Sequence, residues 1–262
     1  MGTPPTERRQ RIEVTLNRGV LWFARHWMGA LTVVFLLYSG LPFMAPVAME
    51  LRAPGVATAI YRFYQPLCHQ FAFRSWFLFG DQPFYPRARA GVPQEGTFEQ
   101  YAAQDPYFEG VDLDTLDARL VAAARGFIGN PQMGWKVAYC QRDIAIYGTI
   151  GLASLVYLIL RRSGVKVPYL PFWAYIAITL LPIGLDGFSQ LLANPPFNGF
   201  GLPFYPLRES TPFLRTLTGA LFGLGNVWLA YPYIADSMQE TITLIESKFE
   251  AAGVPFRRSS AH

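Results

Sequence analysis

Trp27–Ala48 reads WMGALTVVFLLYSGLPFMAPVA, a run with no charged side chain. About 20 helical residues cross the roughly 30 Å of hydrocarbon in a bilayer, so this run is long enough to span one. Lipid offers no partner to backbone N–H and C=O groups, which makes the span a helix. Pro42 and Pro46 mark where it should kink or end. Three further apolar runs follow, Ile144–Leu160, Val167–Leu185 and Leu214–Ile234. The reading is therefore an all-α polytopic membrane protein with four transmembrane helices.

Composition agrees with that. Of 262 residues, 52% are hydrophobic, 16% aromatic and only 15% charged, against about 25% charged in an ordinary soluble domain. Mean hydropathy is +0.20. The net charge of +4 forms no basic stripe with interleaved stacking residues, so nucleic acid is set aside as a partner. Instead the bases flank apolar runs, where they set orientation. Arg8, Arg9, Arg11, Arg18 and Arg25 precede the first run; Arg161, Arg162 and Lys166 join the second to the third; Lys248, Arg257 and Arg258 lie in the tail. The loop before the fourth run carries only Arg208. All basic flanks fall on one side if both termini are cytoplasmic in the cell inner membrane.

This divides the chain into a basic amphipathic segment (1–26), the first span (27–48), an extracytoplasmic segment (49–141), spans two to four (142–235) and a cytoplasmic tail (236–262). The leader is too long and its apolar run too extended for a cleaved signal peptide. From Thr6 to Arg25 it reads as an interfacial helix, with Ile12, Leu16, Val20 and Phe23 on one face, or as a basic tail. Val56–Gly80 is aromatic but punctuated by Arg62, His69 and Arg74. A cation at bilayer depth costs about 2.5–3.5 kcal/mol, so the stretch reads as a helix on the outer interface. Gln82–Pro131, more polar and acidic, reads as a small cap with a short helix from Asp114 to Arg125. In the tail, Ile234, Met238, Ile242, Ile245 and Phe249 recur at helical spacing. That stripe seeks the N-terminal helix, another membrane subunit or a second copy through residues 236–251.

The chain has two cysteines, Cys68 and Cys140. Both fall outside in this topology, where a disulfide is permitted. No C-x-x-C pair is present to suggest a thiol oxidoreductase. A zinc site from Cys68, Cys140 and His69 or Asp143 is a chemical alternative; the residues leave the cofactor otherwise unknown. Arg142 and Asp143 open the second span, Asp186 and Gln190 close the third on one face, and Arg215 and Thr218 open the fourth on one face. With Arg74 they form a candidate ligand-binding cluster at the outer membrane face, three arginines against two aspartates. A phosphate or carboxylate guest and an internal brace both suit it. Gly219 and Gly223 form a packing notch.

Four motifs occur in order: C-H-Q-x3-R-S (Cys68–Ser75), C-x-R-x4-Y (Cys140–Tyr147), D-G-x2-Q (Asp186–Gln190) and R-x2-T-G (Arg215–Gly219). Together they resemble an uncharacterised family of predicted bacterial and archaeal integral membrane proteins, over about Tyr61–Gly223. The resemblance implies a small helical membrane protein of unestablished activity. That family often has a further Cys where this chain has Asp143, and Glu95–Pro131 looks like an addition to its core. Three functions remain open: a non-catalytic accessory or structural subunit of a membrane complex, an enzyme or transporter taking a lipid-linked or small anionic ligand, and a metal or thiol-redox module.

Overall fold

Helix α1 (Glu7–Gly40) continues through a 3-10 turn at Leu41–Phe43 into α2 (Met44–Glu50). Pro42 sits in the first turn of its element, where a missing N–H costs nothing, so it bends the path without ending it. The computed structural model describes residues 7–93, 95–194, 197 and 208–256; Thr6, Arg257 and Arg258 lie outside that set. After α3 (Pro54–Tyr64) come strand β1 (Ser75–Leu78), helices α4 (Phe98–Ala102) and α5 (Ala118–Gly126), and strands β2 (Gly129–Asn130) and β3 (Gly134–Cys140). Helix α6 (Gln141–Arg162) leads to α7 (Phe172–Tyr175), a π turn at Ile176–Leu180, and α8 (Leu181–Ala193). The chain then forms α9 (Pro212–Ala251).

Among the described residues three stretches are long and apolar enough to cross a membrane: Arg9–Glu50, Gln141–Arg162 and Phe172–Ala193. Helix α9 is not among them, although it packs against both α6 and α1. Its 40 residues rise about 60 Å, twice a hydrocarbon thickness. In its first half Gly219 and Gly223 lie on the α6 backbone. A Cβ at either would meet Arg142 O at 2.6 Å or Ile146 O at 2.4 Å. The notch is therefore real, and it lets two helices approach where lipid supplies no hydrophobic drive. In its second half Ile242, Ile245 and Phe249 bury against Leu21 and Ala24 of α1. The tail stripe is thus covered by the chain's own first helix. Arg25 pairs with Glu246 at 2.7 Å, and Arg18 donates to Pro255 O, so α1 and α9 run antiparallel with both ends of the described chain together. On α1, Ile12, Leu16, Val20 and Phe23 stay exposed.

At the other end of the bundle the all-α expectation needs correction. A three-stranded antiparallel sheet, ordered β1-β3-β2, stands there. The interfacial helix expected over Val56–Gly80 is helical only to Tyr64. Beyond it Phe71, Phe73 and Phe77 are buried with Tyr85, Phe98, Phe108, Leu120, Phe127 and Met133 in one core. Those aromatics serve protein packing rather than a lipid surface. The short helix begins at Ala118, four residues later than expected, because the Asp117 carboxylate caps it by accepting from Leu120 N–H.

Candidate functional site

Helices α6, α8 and α9 end beside the sheet, and their polar ends meet there. Arg142, in the first turn of α6, pairs with Asp186 of α8. Arg208 donates to the second oxygen of Asp186 at 2.9 Å, and Ser210 Oγ donates to the first at 2.8 Å. Next along the chain, Glu209 accepts two bonds from Arg74, at 2.9 and 3.1 Å, and pairs with Arg215 of α9. Both Glu209 and Arg215 are buried. Burial by itself would lift the Glu209 carboxyl, but Arg74 and Arg215 hold it below the usual carboxylate range.

The strip Arg208–Glu209–Ser210 therefore ties the two halves of the cluster together. Of these only Arg208 figured in the sequence reading, as a loop charge. The signal was a compact polar run in an otherwise apolar connection, directly before Thr211, whose hydroxyl caps α9 through Leu214 N–H. Of the residues singled out from sequence, Arg74, Arg142, Asp186 and Arg215 join this network. Thr218 does not; its hydroxyl donates to Leu214 O in its own helix at 2.7 Å. Gln190 is buried one turn from Asp186. Among the described residues, Gln141 Oε1, Arg142 Nε and Gln190 Nε2 are buried without a hydrogen-bond partner.

A second group adjoins the first. Cys68 and Cys140 are free thiols, which corrects the expected disulfide. They are neighbours because β1 pairs Ser75 with Cys140 across the sheet, and the turn after α3 sets Cys68 beneath that pair. Instead of bonding each other, Cys140 Sγ donates to Asp143 Oδ2 at 2.9 Å. The adjacent Cys68 sulfur, burial and Asp143 all push the Cys140 thiol up. Cys68 Sγ accepts from Cys140 N–H at 3.3 Å and Gln70 N–H at 3.5 Å. Cys68, Cys140 and Asp143 present ligand atoms that all lie within 4.8 Å of one another. His69 is not part of that set; its ring rests on Phe71. Burial and Arg74 lower its pKa, with Asp143 opposing them.

Residues near the thiols escaped the sequence reading, apart from Tyr147, which closes the second motif. Tyr38, Tyr64, Tyr139 and Tyr147 interlock, with Tyr38 and Tyr139 hydroxyls 2.9 Å apart. Lys136 is buried and donates to Gln70 O at 2.7 Å and Arg125 O at 2.9 Å; burial pushes its amine down to about 7.

Residues 127–229 match the family model DUF2085, described as a predicted membrane protein. That stretch is thus similar to a predicted membrane-protein family. It takes in Cys140, Arg142, Asp143, Asp186, Gln190, Arg215 and Thr218, and leaves Cys68, His69 and Arg74 ahead of it. An uncharacterized protein of Methanocaldococcus jannaschii is 30% identical over 100 residues, covering 38% of this chain and 54% of that relative. The chain thus matches about half the length of the curated relative. No solved structure matches.

Proposed function

We propose that this is a four-span protein of the cell inner membrane that binds a small anionic or lipid-linked headgroup at the outer ends of its helices. In this reading both termini are cytoplasmic, residues 49–141 are extracytoplasmic, and α9 is the fourth span. The antiparallel course of α1, α6, α7–α8 and α9 supports that parity. So do Arg161 and Arg162, which end α6 on the side of the chain termini.

One observation carries the ligand reading. Arg142 Nε and Gln190 Nε2 are buried donors with no acceptor among the described residues; Arg142 reaches Asp186 from α6, and Gln190 lies one turn beyond Asp186 on α8. A buried donor left unmade costs about 1–3 kcal/mol, more if charged. A phosphate or carboxylate oxygen admitted at either atom would supply the missing acceptor. The charge balance points the same way, since four arginines, Arg74, Arg142, Arg208 and Arg215, pair with two carboxylates, Asp186 and Glu209. The accessory-subunit reading is weaker, because the tail stripe that called for a partner is covered by α1.

The test is thermal denaturation of the detergent-purified protein with inorganic phosphate or with phosphatidic acid added. Stabilisation by phosphate assigns a free anion, and stabilisation by the lipid alone assigns a headgroup. Either should vanish in the Arg142→Gln, Gln190→Leu variant. Asp186→Asn should fold and change its response to the anion. A large loss of stability in Asp186→Asn that no anion moderates would make the cluster an internal brace.

A further inference from the structure

Two thiols and a carboxylate converge beside the arginine cluster, and three separate features suit them to a cation. The first is spacing. A tetrahedral zinc about 2.3 Å from each of two thiolates sets the sulfurs roughly 3.8 Å apart, with a carboxylate oxygen at about 2.0–2.2 Å from the metal. The atoms here already fall within 4.8 Å of one another. The second is preorganisation of Cys68. Gln70 stands in the left-handed region at φ 53°, a conformation that costs a non-glycine residue about 1 kcal/mol or more. Its buried side-chain amide fixes it there, donating to Tyr61 O at 3.0 Å and Ala138 O at 2.8 Å. The strained turn aims Gln70 N–H at the Cys68 sulfur, and Cys140 N–H reaches it from the other side. Such N–H donors stabilise a thiolate ligand and orient it. The third is charge. A divalent cation with two thiolates and one carboxylate carries one net negative charge, which suits the adjoining arginines.

We propose that Cys68, Cys140 and Asp143 bind one thiophilic divalent cation of the zinc type. Both thiol protons leave on binding, including the one Cys140 now shares with Asp143, and two S–metal bonds and one O–metal bond form. Three protein ligands leave a fourth position for water, the arrangement of an open rather than a closed zinc site. This inference does not depend on the anion reading, since it uses neither Arg142 nor Gln190.

Cobalt(II) titration of the chelator-stripped full chain in detergent tests it. The expected result is one equivalent of cobalt giving a saturable thiolate charge-transfer band with tetrahedral visible bands, all displaced by zinc. Cys68→Ser and Cys140→Ser should each abolish the band, and Asp143→Asn should weaken binding by at least about tenfold. No band in the unsubstituted chain, or an undiminished band in the Cys68→Ser, Cys140→Ser double variant, overturns the proposal. Should the serine variants fail to fold, alkylation of the native thiols decides: zinc should slow it at both cysteines, and equal rates with and without zinc refute the site.

Discussion

The two ends of the α1–α9 bundle solve the same packing problem with opposite chemistry. At the end near the chain termini, α1 and α9 meet through Leu21, Ala24, Ile242, Ile245 and Phe249. One partly exposed ion pair, Arg25–Glu246, flanks that seam. At the sheet end the helix tips meet through arginines and carboxylates, with Glu209 and Arg215 each about 5% exposed. In the proposed topology the apolar seam lies outside the membrane and draws on the hydrophobic effect, which acts wherever water is displaced. Beside hydrocarbon that drive between helices is absent, and helix ends that carry charge must pair it or lose heavily. The contrast teaches that an ion pair's worth in this protein is set by where it stands.

The largest effect should come from the buried pair. Glu209→Gln leaves Arg74 and Arg215 without their shared carboxylate, and breaking a buried pair from one side costs about 3–5 kcal/mol. Thermal denaturation in detergent reads it; a loss under about 1 kcal/mol would put the sheet end on a par with an exposed pair. The same residue gives a pH signature. Its folded carboxyl lies below its unfolded value, so its contribution is present above the ordinary carboxylate range and is lost as pH falls through the folded value. That acid limb should be missing in Glu209→Gln.

The apolar seam should come next. Ile245, 4% exposed, should cost about 2–5 kcal/mol on truncation to alanine, and the loss should be insensitive to salt. If Ile245→Ala is silent, the two helices do not rely on each other at the end near the chain termini. The smallest effect belongs to the pair beside that seam. Glu246→Gln should cost no more than about 1 kcal/mol, shrinking further at high salt. A cost equal to that of Glu209→Gln would erase the distinction between the ends.

Much of this was legible in the chain itself. The uncharged run at Trp27–Ala48 and the two apolar runs after it announced helices of membrane length, and the Gly219–Gly223 spacing announced a close helix contact. These are local properties: period, length and side-chain size act within one element, so one dimension suffices to read them. The motif ends Arg142, Asp186 and Arg215 could be assigned to one end of the helix bundle, because direction reverses with each helix.

What they touch could not be read. Glu209 and Ser210 join the network only because the residues directly before α9 lie against the helix tips, and no periodicity marks a loop. The sheet was hidden because Phe71, Phe73 and Phe77 look alike whether they face lipid or a protein core; pairing of Ser75 with Cys140 decides it. That register also brings Cys68 to Cys140 across 72 residues, close enough to share surroundings yet with Cys140's proton directed to Asp143. Sequence fixes which groups a chain owns, whereas distances of a few ångströms between remote groups are set by the packing of whole elements, and chemistry depends on those distances.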